Sequence, residues 1–281
     1  MAVRRNLAVE VPKNLNRLFR RRLNYRNEVM AQLRLRYNLE LTLFSRLQKL
    51  IHRFIRSQAR ALESNLYFPY RANVEFSDKL KDLLRMHYRR VFLSIYERNS
   101  NVLSNLAQKQ EAFDFSNVDF EQLVNGYIAN HELVLSGIST TLSKRLTRII
   151  EDGMAEGLTL RQIAGKLRDS SITLSRARAY TIARTETHNA ASWANHKYHV
   201  EIRDNLDIEL VKKWVAVSDG RTRPEHRAAN GQTVPMDGKF VLTHPKLGEV
   251  QMDRAGDEAG GIYHTINCRC VIVYEDAEQT V

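Results

Sequence analysis

Apolar residues recur at spacings of three and four over most of the first 200 positions, then give way to a shorter-period pattern after residue 205. Leu43, Phe44, Leu47, Leu50, Ile51, Phe54 and Ile55 fall on one helical face, and Arg46, Lys49, Arg53, Arg56 and Arg60 lie largely off it. Tyr67-Phe68-Pro69-Tyr70 ends this first region, because proline disfavours helix in the residue before it. Leu80, Leu83, Leu84, His87, Val91 and Ile95 mark a second helical region, which weakens near Asn99-Ser100-Asn101. His87 falls on its apolar side and reads as a core histidine. A third region starts near Val118-Asp119 and carries Phe120, Leu123, Tyr127, Leu135, Ile138, Leu142, Leu146, Ile149 and Ile150, with Gly153 and Gly157 at its end.

Thr159-Leu160-Arg161-Gln162 has the form of a capping box and opens a short helix through about Leu167. Ser175 is placed to cap a longer one, from Arg176 to about His199, on which Arg184 and His188 share a face, as do Thr185 and Asn189. Ile208 to Val217 has strand composition around Lys212 and Trp214. Thr222-Arg223-Pro224-Glu225 reads as a second capping box, opening one or two turns that carry His226 and stop at Asn230-Gly231. Lys239 to Thr243 and Ile266 to Tyr274 read as strands, with an acidic, glycine-bearing loop at residues 256–261 between them. The fold class expected is α+β: a long, mostly α-helical N-terminal two-thirds, then a small α+β domain with a short antiparallel sheet. The divisions are a basic amphipathic helical arm over 1–70, a helical region over 71–155 and a C-terminal domain over 156–281.

Charge sharpens this division. The chain of 281 residues has 43 Lys+Arg against 32 Asp+Glu, a net +11. Residues 1–60 hold 15 basic and 3 acidic side chains, whereas residues 61–281 hold 28 and 29, so the first segment carries +12 and the rest −1. A basic segment on a near-neutral body points to a polyanion, which can be nucleic acid, anionic lipid or an acidic protein surface, and double-stranded DNA is the expected partner. Arg17, Arg20, Arg21, Arg22, Arg26, Arg34, Arg36, Arg53 and Arg56 are its candidate contacts; a solvated helix face is the plainer alternative. No apolar run approaches the roughly 18–20 residues of a spanning helix, and Met1 to Leu7 lacks the apolar core of a signal peptide.

The only cysteines, Cys268 and Cys270, are one residue apart and make poor disulfide partners, which points to a reducing compartment. On a strand both thiols would share a face, and with His226 and either His264 or Asp219 they could hold zinc. Structural zinc pairs normally use two to four intervening residues, however, so the spacing favours two thiols packed as small apolar groups, with Arg269 facing the other way. Asp219, His226, Asn230, His264 and Asn267 also supply the residue types of a histidine–asparagine–histidine nuclease, but their order does not fit one ββα unit. Asp219, Arg221 and Arg223 read better as a buried ion-pair and turn network.

The order of parts over roughly residues 150 to 275 resembles the phage head morphogenesis family, the minor head proteins similar to the F protein of phage Mu. The parts are Ala183-Arg184-Thr185-Glu186, the strand with Trp214, Asp219 with Arg221-Thr222-Arg223, His226, Asn230-Gly231 and Asn267-Cys268-Arg269-Cys270. The resemblance implies structural roles for Arg184, Glu186, Trp214, Asp219, Arg221, Arg223, His226, Gly231, Asn267, Cys268 and Cys270, with no catalytic residue and no required cofactor. It implies a low-copy virion component made in the host cytoplasm, bound to the portal protein and in contact with scaffold or major capsid protein. Domains of this kind also occur fused to ADP-ribosylating toxins, so that activity is the enzymatic alternative; no Arg…Ser-Thr-Ser…Glu-x-Glu series is present here.

Overall fold

The computed structural model describes residues 25–64, 69–106, 118–206, 209–217 and 219–277. Four long helices form the body: α1 (Tyr25–Glu63), α2 (Pro69–Leu106), α3 (Phe120–Ala155) and α4 (Leu160–Leu206). The rest is β1 (Leu210–Val215), α5 (Pro224–Ala228), β2 (Thr233–Pro235), β3 (Phe240–His244), β4 (Gly248–Met252), a 3₁₀ turn (Glu258–Gly260), α6 (Gly261–Thr265) and β5 (Val271–Asp276). The α+β expectation is met, with the helices first and the small sheets last. No described helix is long and apolar enough to cross a membrane.

The expected apolar stripes meet in one core. Leu43, Leu47, Ile51 and Ile55 of α1 pack with Leu84, Val91 and Phe92 of α2, Leu135 and Leu142 of α3, and Ile163, Ala183, Ala190 and Ala194 of α4. Helix α4 is the axis, in contact with each of the other three helices and with β5. Its buried positions are largely Ala, Ser, Thr and Asn, which lets neighbouring backbones approach closely but leaves little hydrophobic periodicity to read. For that reason the break expected at Ser175 is absent. Residues 160–206 are one helix, and the Ser175 hydroxyl donates back to the Ile172 carbonyl within it. The Thr159–Gln162 box does form at its start: the Thr159 amide donates to Gln162 Oε1 at 2.8 Å, and the Gln162 amide to Thr159 Oγ1 at 3.3 Å. Helix α2 likewise runs through Asn99-Ser100-Asn101. Asn99 is buried and donates to Asn195 Oδ1 of α4, so this polar patch is interior rather than a terminus.

The C-terminal module has a three-stranded antiparallel sheet, ordered β2-β1-β5 with Trp214 opposite Ile272, and a separate β3–β4 hairpin pairing Phe240 with Met252. Strand β4 carries no apolar alternation strong enough to announce it, and sequence patterning missed it. One face of the main sheet buries Leu210, Trp214, Ile272 and Tyr274 with Phe240, Leu242 and Met252. The other buries Val215, Val271 and Val273 against Val29 and Leu33 of α1. Packing therefore joins α1 both to the other helices and to the C-terminal module. Residues 1–24, with Arg17, Arg20, Arg21 and Arg22, lie outside the described residues.

Candidate functional site

Two polar assemblies join the helical body to the C-terminal module. The first is buried at the centre. Glu186 of α4 accepts from the Tyr88 hydroxyl at 2.6 Å and lies 2.8 Å from His131 Nε2, while His131 Nδ1 lies 2.8 Å from Glu258. Arg254 reaches Asp257 at 3.2 Å and Glu258 at 3.4 Å, closing the chain from α2 through α3 and α4 to the 3₁₀ turn. Tyr127 stacks on His131, with ring centroids 5.0 Å apart. Burial pulls the His131 pKa down, but the Glu186 and Glu258 carboxylates outweigh it and raise it to about 9. His131 stands in register with Val124, Tyr127, Leu135 and Ile138 on α3, the trace of it that the sequence carries, beside the motif residue Glu186.

The second assembly surrounds the cysteines. Asn267 adopts φ 57°, a left-handed turn, and its amide donates to Thr185 Oγ1 at 3.1 Å. That turn lies before β5, which begins only at Val271, so the thiols converge through an irregular corner and not through strand alternation as expected. Both are buried and form no disulfide. Cys268 Sγ lies 3.7 Å and Cys270 Sγ 3.5 Å from Nδ1 of one histidine, His226. Hydrogen bonding from Cys270 holds the Cys268 thiol well below its ordinary pKa, and the same contact pushes Cys270 up. His226 Nε2 lies 3.2 Å from His264 Nδ1, whose ring lies 3.9 Å from Glu225.

His264 is thus on the far side of the His226 ring from the sulfurs, and the groups Cys268–Cys270–His226 and Glu225–His226–His264 share His226 alone. Asp219, the other expected ligand, is engaged elsewhere: it receives both guanidinium nitrogens of Arg269 at 2.5 and 2.6 Å and the Arg221 amide at 3.0 Å. Arg269 does turn away from the thiols. The Asp219 network is half-exposed rather than buried, since carboxylate and guanidinium sit at the module's edge. Arg223 does not join it but donates to the Ile266 carbonyl at 2.7 Å. Nor does Thr222 cap α5. Its hydroxyl donates to the Val217 carbonyl, and Arg223 occupies the N-cap position with Pro224 following. Gly231 at φ +85° returns the chain to β1, where its amide donates to the Trp214 carbonyl at 2.8 Å.

Arg36 requires a correction. Expected on a DNA-facing surface, it is 6% exposed, and NH1 donates to His188 Nδ1 at 3.0 Å and to the Cys270 carbonyl at 3.4 Å. Gln32, Arg36, Leu39 and Leu43 continue one stripe, so the helix turns Arg36 inward. Arg34, Arg46, Lys49, Arg53, Arg56 and Arg60 are exposed as expected, and Arg26 lies in the first turn of α1. The remaining motif residue, Arg184, pairs with Glu40 of α1 at 3.2 Å. His87 is a core histidine as expected, bonded to Thr187 at 2.8 Å, with burial lowering its pKa to about 3.

Comparison with known proteins decides what these parts have in common. The Phage Mu protein F like family matches residues 144–273, which span the corner at Asn267, both cysteines, Trp214 and the Glu186 segment. Residues 144–273 are similar to that family. The Mu F-like segment is continued by a likeness over nearly the whole chain to minor head protein GP7 of Bacillus phage SPP1, 24% identical over 281 residues, covering 96% of this chain and 83% of that protein. A second likeness is to the NAD(+)–arginine ADP-ribosyltransferase EFV of Enterococcus faecalis, 29% identical over 154 residues. That match covers 54% of this chain, and the chain spans 30% of the transferase's length. No solved structure matches. The resemblance to minor head proteins read from the motif string is met, and the Mu F-like residues lie at the joints between body and module.

Proposed function

We propose that this chain is a minor head protein of the virion, seated at the portal vertex with its basic α1 face against packaged DNA, where it supports head assembly, packaging or ejection. The carrying observation is the outer face of α1. Its exposed Arg34, Arg46, Lys49, Arg53, Arg56 and Arg60 are not neutralised within the helix. The helix's three acidic residues, Glu28, Glu40 and Glu63, pair instead with Arg98, Arg184 and Arg168 of other helices. An uncompensated basic face displaces condensed counterions when it meets phosphates. Reversing Arg46, Arg53 and Arg56 to Glu leaves the buried stripe untouched, so the protein stays folded. Duplex DNA binding should weaken strongly, and the log–log salt slope should drop by roughly 2–3. Unchanged DNA affinity together with lost portal co-purification would assign the face to portal protein instead.

A second reading, arginine ADP-ribosylation, has the likeness to the Enterococcus faecalis protein in its favour. Glu186, His131 and Glu258 are engaged with one another, as are Asp219 and Arg269, which supports an architectural role over turnover. Full-length protein incubated with NAD and arginine-rich acceptor protein should incorporate no ADP-ribose. Incorporation by folded protein would establish the enzymatic reading.

A further inference from the structure

We infer that His226, Cys268 and Cys270 bind one zinc ion with a water as fourth ligand, a site that holds the corner at Asn267 onto α5. The three ligand atoms lie within 4.8 Å of one another and belong to residues 1–3% exposed. Tetrahedral zinc, with Zn–S near 2.3 Å and Zn–N near 2.0–2.1 Å, separates N from S by about 3.6 Å. The observed separations, 3.7 and 3.5 Å, bracket that value.

The valence of His226 argues the same way. Its Nδ1 has a single lone pair, enough for one S–H donor, yet two sulfurs converge on it. A cation at the focus of all three atoms bonds both sulfurs and the ring nitrogen at once, where the Nδ1 lone pair accepts from only one thiol. On the other side of the ring, Nε2 faces His264, with Glu225 behind it. That is the outer-shell arrangement by which a ligating imidazole has its tautomer and orientation set. A cavity of about 10 Å³ beside the three ligands, bordered by Val217, Thr222, Arg223 and Asn267, has room for one water at the fourth position.

His188 is excluded as the fourth ligand by its partner. A guanidinium only donates, so Arg36 NH1 occupies the lone pair of His188 Nδ1 and leaves the proton of the neutral ring on Nε2. That nitrogen is buried without a hydrogen-bond partner among the described residues and, carrying the proton, has no lone pair for the metal. The site has no dependence on which head component or nucleic acid the chain binds.

The test uses the full-length chain. Elemental analysis after purification without chelator should return about one zinc per chain. Unfolding in chelator and refolding with Co(II) should produce the near-ultraviolet thiolate-to-cobalt absorption expected of two cysteine ligands. Cys268→Ser and Cys270→Ser should each abolish metal retention, while His188→Gln should keep it. The wild-type arms do not depend on any variant folding. Zinc-free protein from zinc-replete cells, with no thiolate-to-cobalt band on refolding, overturns the site. Metal loss in His188→Gln as complete as in Cys268→Ser overturns the ligand set.

Discussion

Replacing Glu186 with Ala is expected to destabilise the folded chain by about 3–5 kcal/mol, because it leaves a buried imidazolium without one of its two counter-charges. His131 and Glu186 side chains are 0% and 2% exposed, so water cannot take the place of the lost carboxylate. The same change strips the Tyr88 hydroxyl of its acceptor. Glu186→Gln, which keeps the shape and a hydrogen-bond acceptor, should cost less than Ala. Urea unfolding monitored by circular dichroism measures both, and a loss below about 1 kcal/mol for Ala would show that the network is not holding the helices to the module.

The network also sets a pH dependence whose sign follows from His131. Its pKa in the folded chain, about 9, lies above the ordinary 6.5, so its stabilisation is complete below about 6.5 and is lost as pH rises through about 9. Glu258 is held below its ordinary 4.5: burial raises it, and the hydrogen bond from His131 with the Arg254 charge outweighs burial. Its contribution is present above about 4.5 and fades as pH falls below that value. The joint should therefore be firmest between about pH 4.5 and 6.5, and His131→Gln should flatten the loss of stability from pH 7 to 9.5.

The second large effect is expected at Trp214. Its side chain is 0% exposed and meets Phe240 and His226 edge-on, at centroid distances of 5.3 and 5.5 Å. Its backbone also carries the return from α5, donating to the Gln232 carbonyl and accepting from the Gly231 amide. A buried tryptophan cut to alanine loses its transfer free energy and leaves a cavity, together about 3–5 kcal/mol. For a chain of this size that is a fall in melting temperature on the order of 10 °C. Trp214→Phe should be much milder. Hydrogen exchange should place the loosening in β1, β3 and β5 while α2 and α3 stay protected. Uniform loosening of all four long helices would contradict the local origin argued here.

Particular elements show why some features were legible and others not. The α1 stripe from Leu43 to Ile55 was readable because each apolar side chain repeats the 3.6-residue period and its opposite face is basic. The Thr159–Gln162 box was readable because both partners are local. Helix α4 was read as two because its interior is alanine and small polar residues, whose burial follows from contact with three helices and not from their own hydrophobicity. The hairpin strand β4 was missed because a short strand largely open to solvent has no alternation to show. Arg36 was assigned to the surface by its charge, when its place in the stripe of Gln32, Leu39 and Leu43 was the better guide.

The sequence alone determined the helical body, the small C-terminal module, the concentration of charge in the first 60 residues, and the motif string of the Mu F-like segment. All of these rest on periodicity, composition or residues close together in the chain. Tertiary structure alone decided which polar residues meet. His131, Glu186 and Glu258 come from positions up to 127 residues apart, and Arg36 reaches the carbonyl of Cys270 across 234. A buried charge is tolerable only when paired, and its partner is chosen by packing in space rather than by distance along the chain. The same holds for the thiols: spacing along the chain argued against a shared ligand, and the left-handed turn at Asn267 brings both to His226.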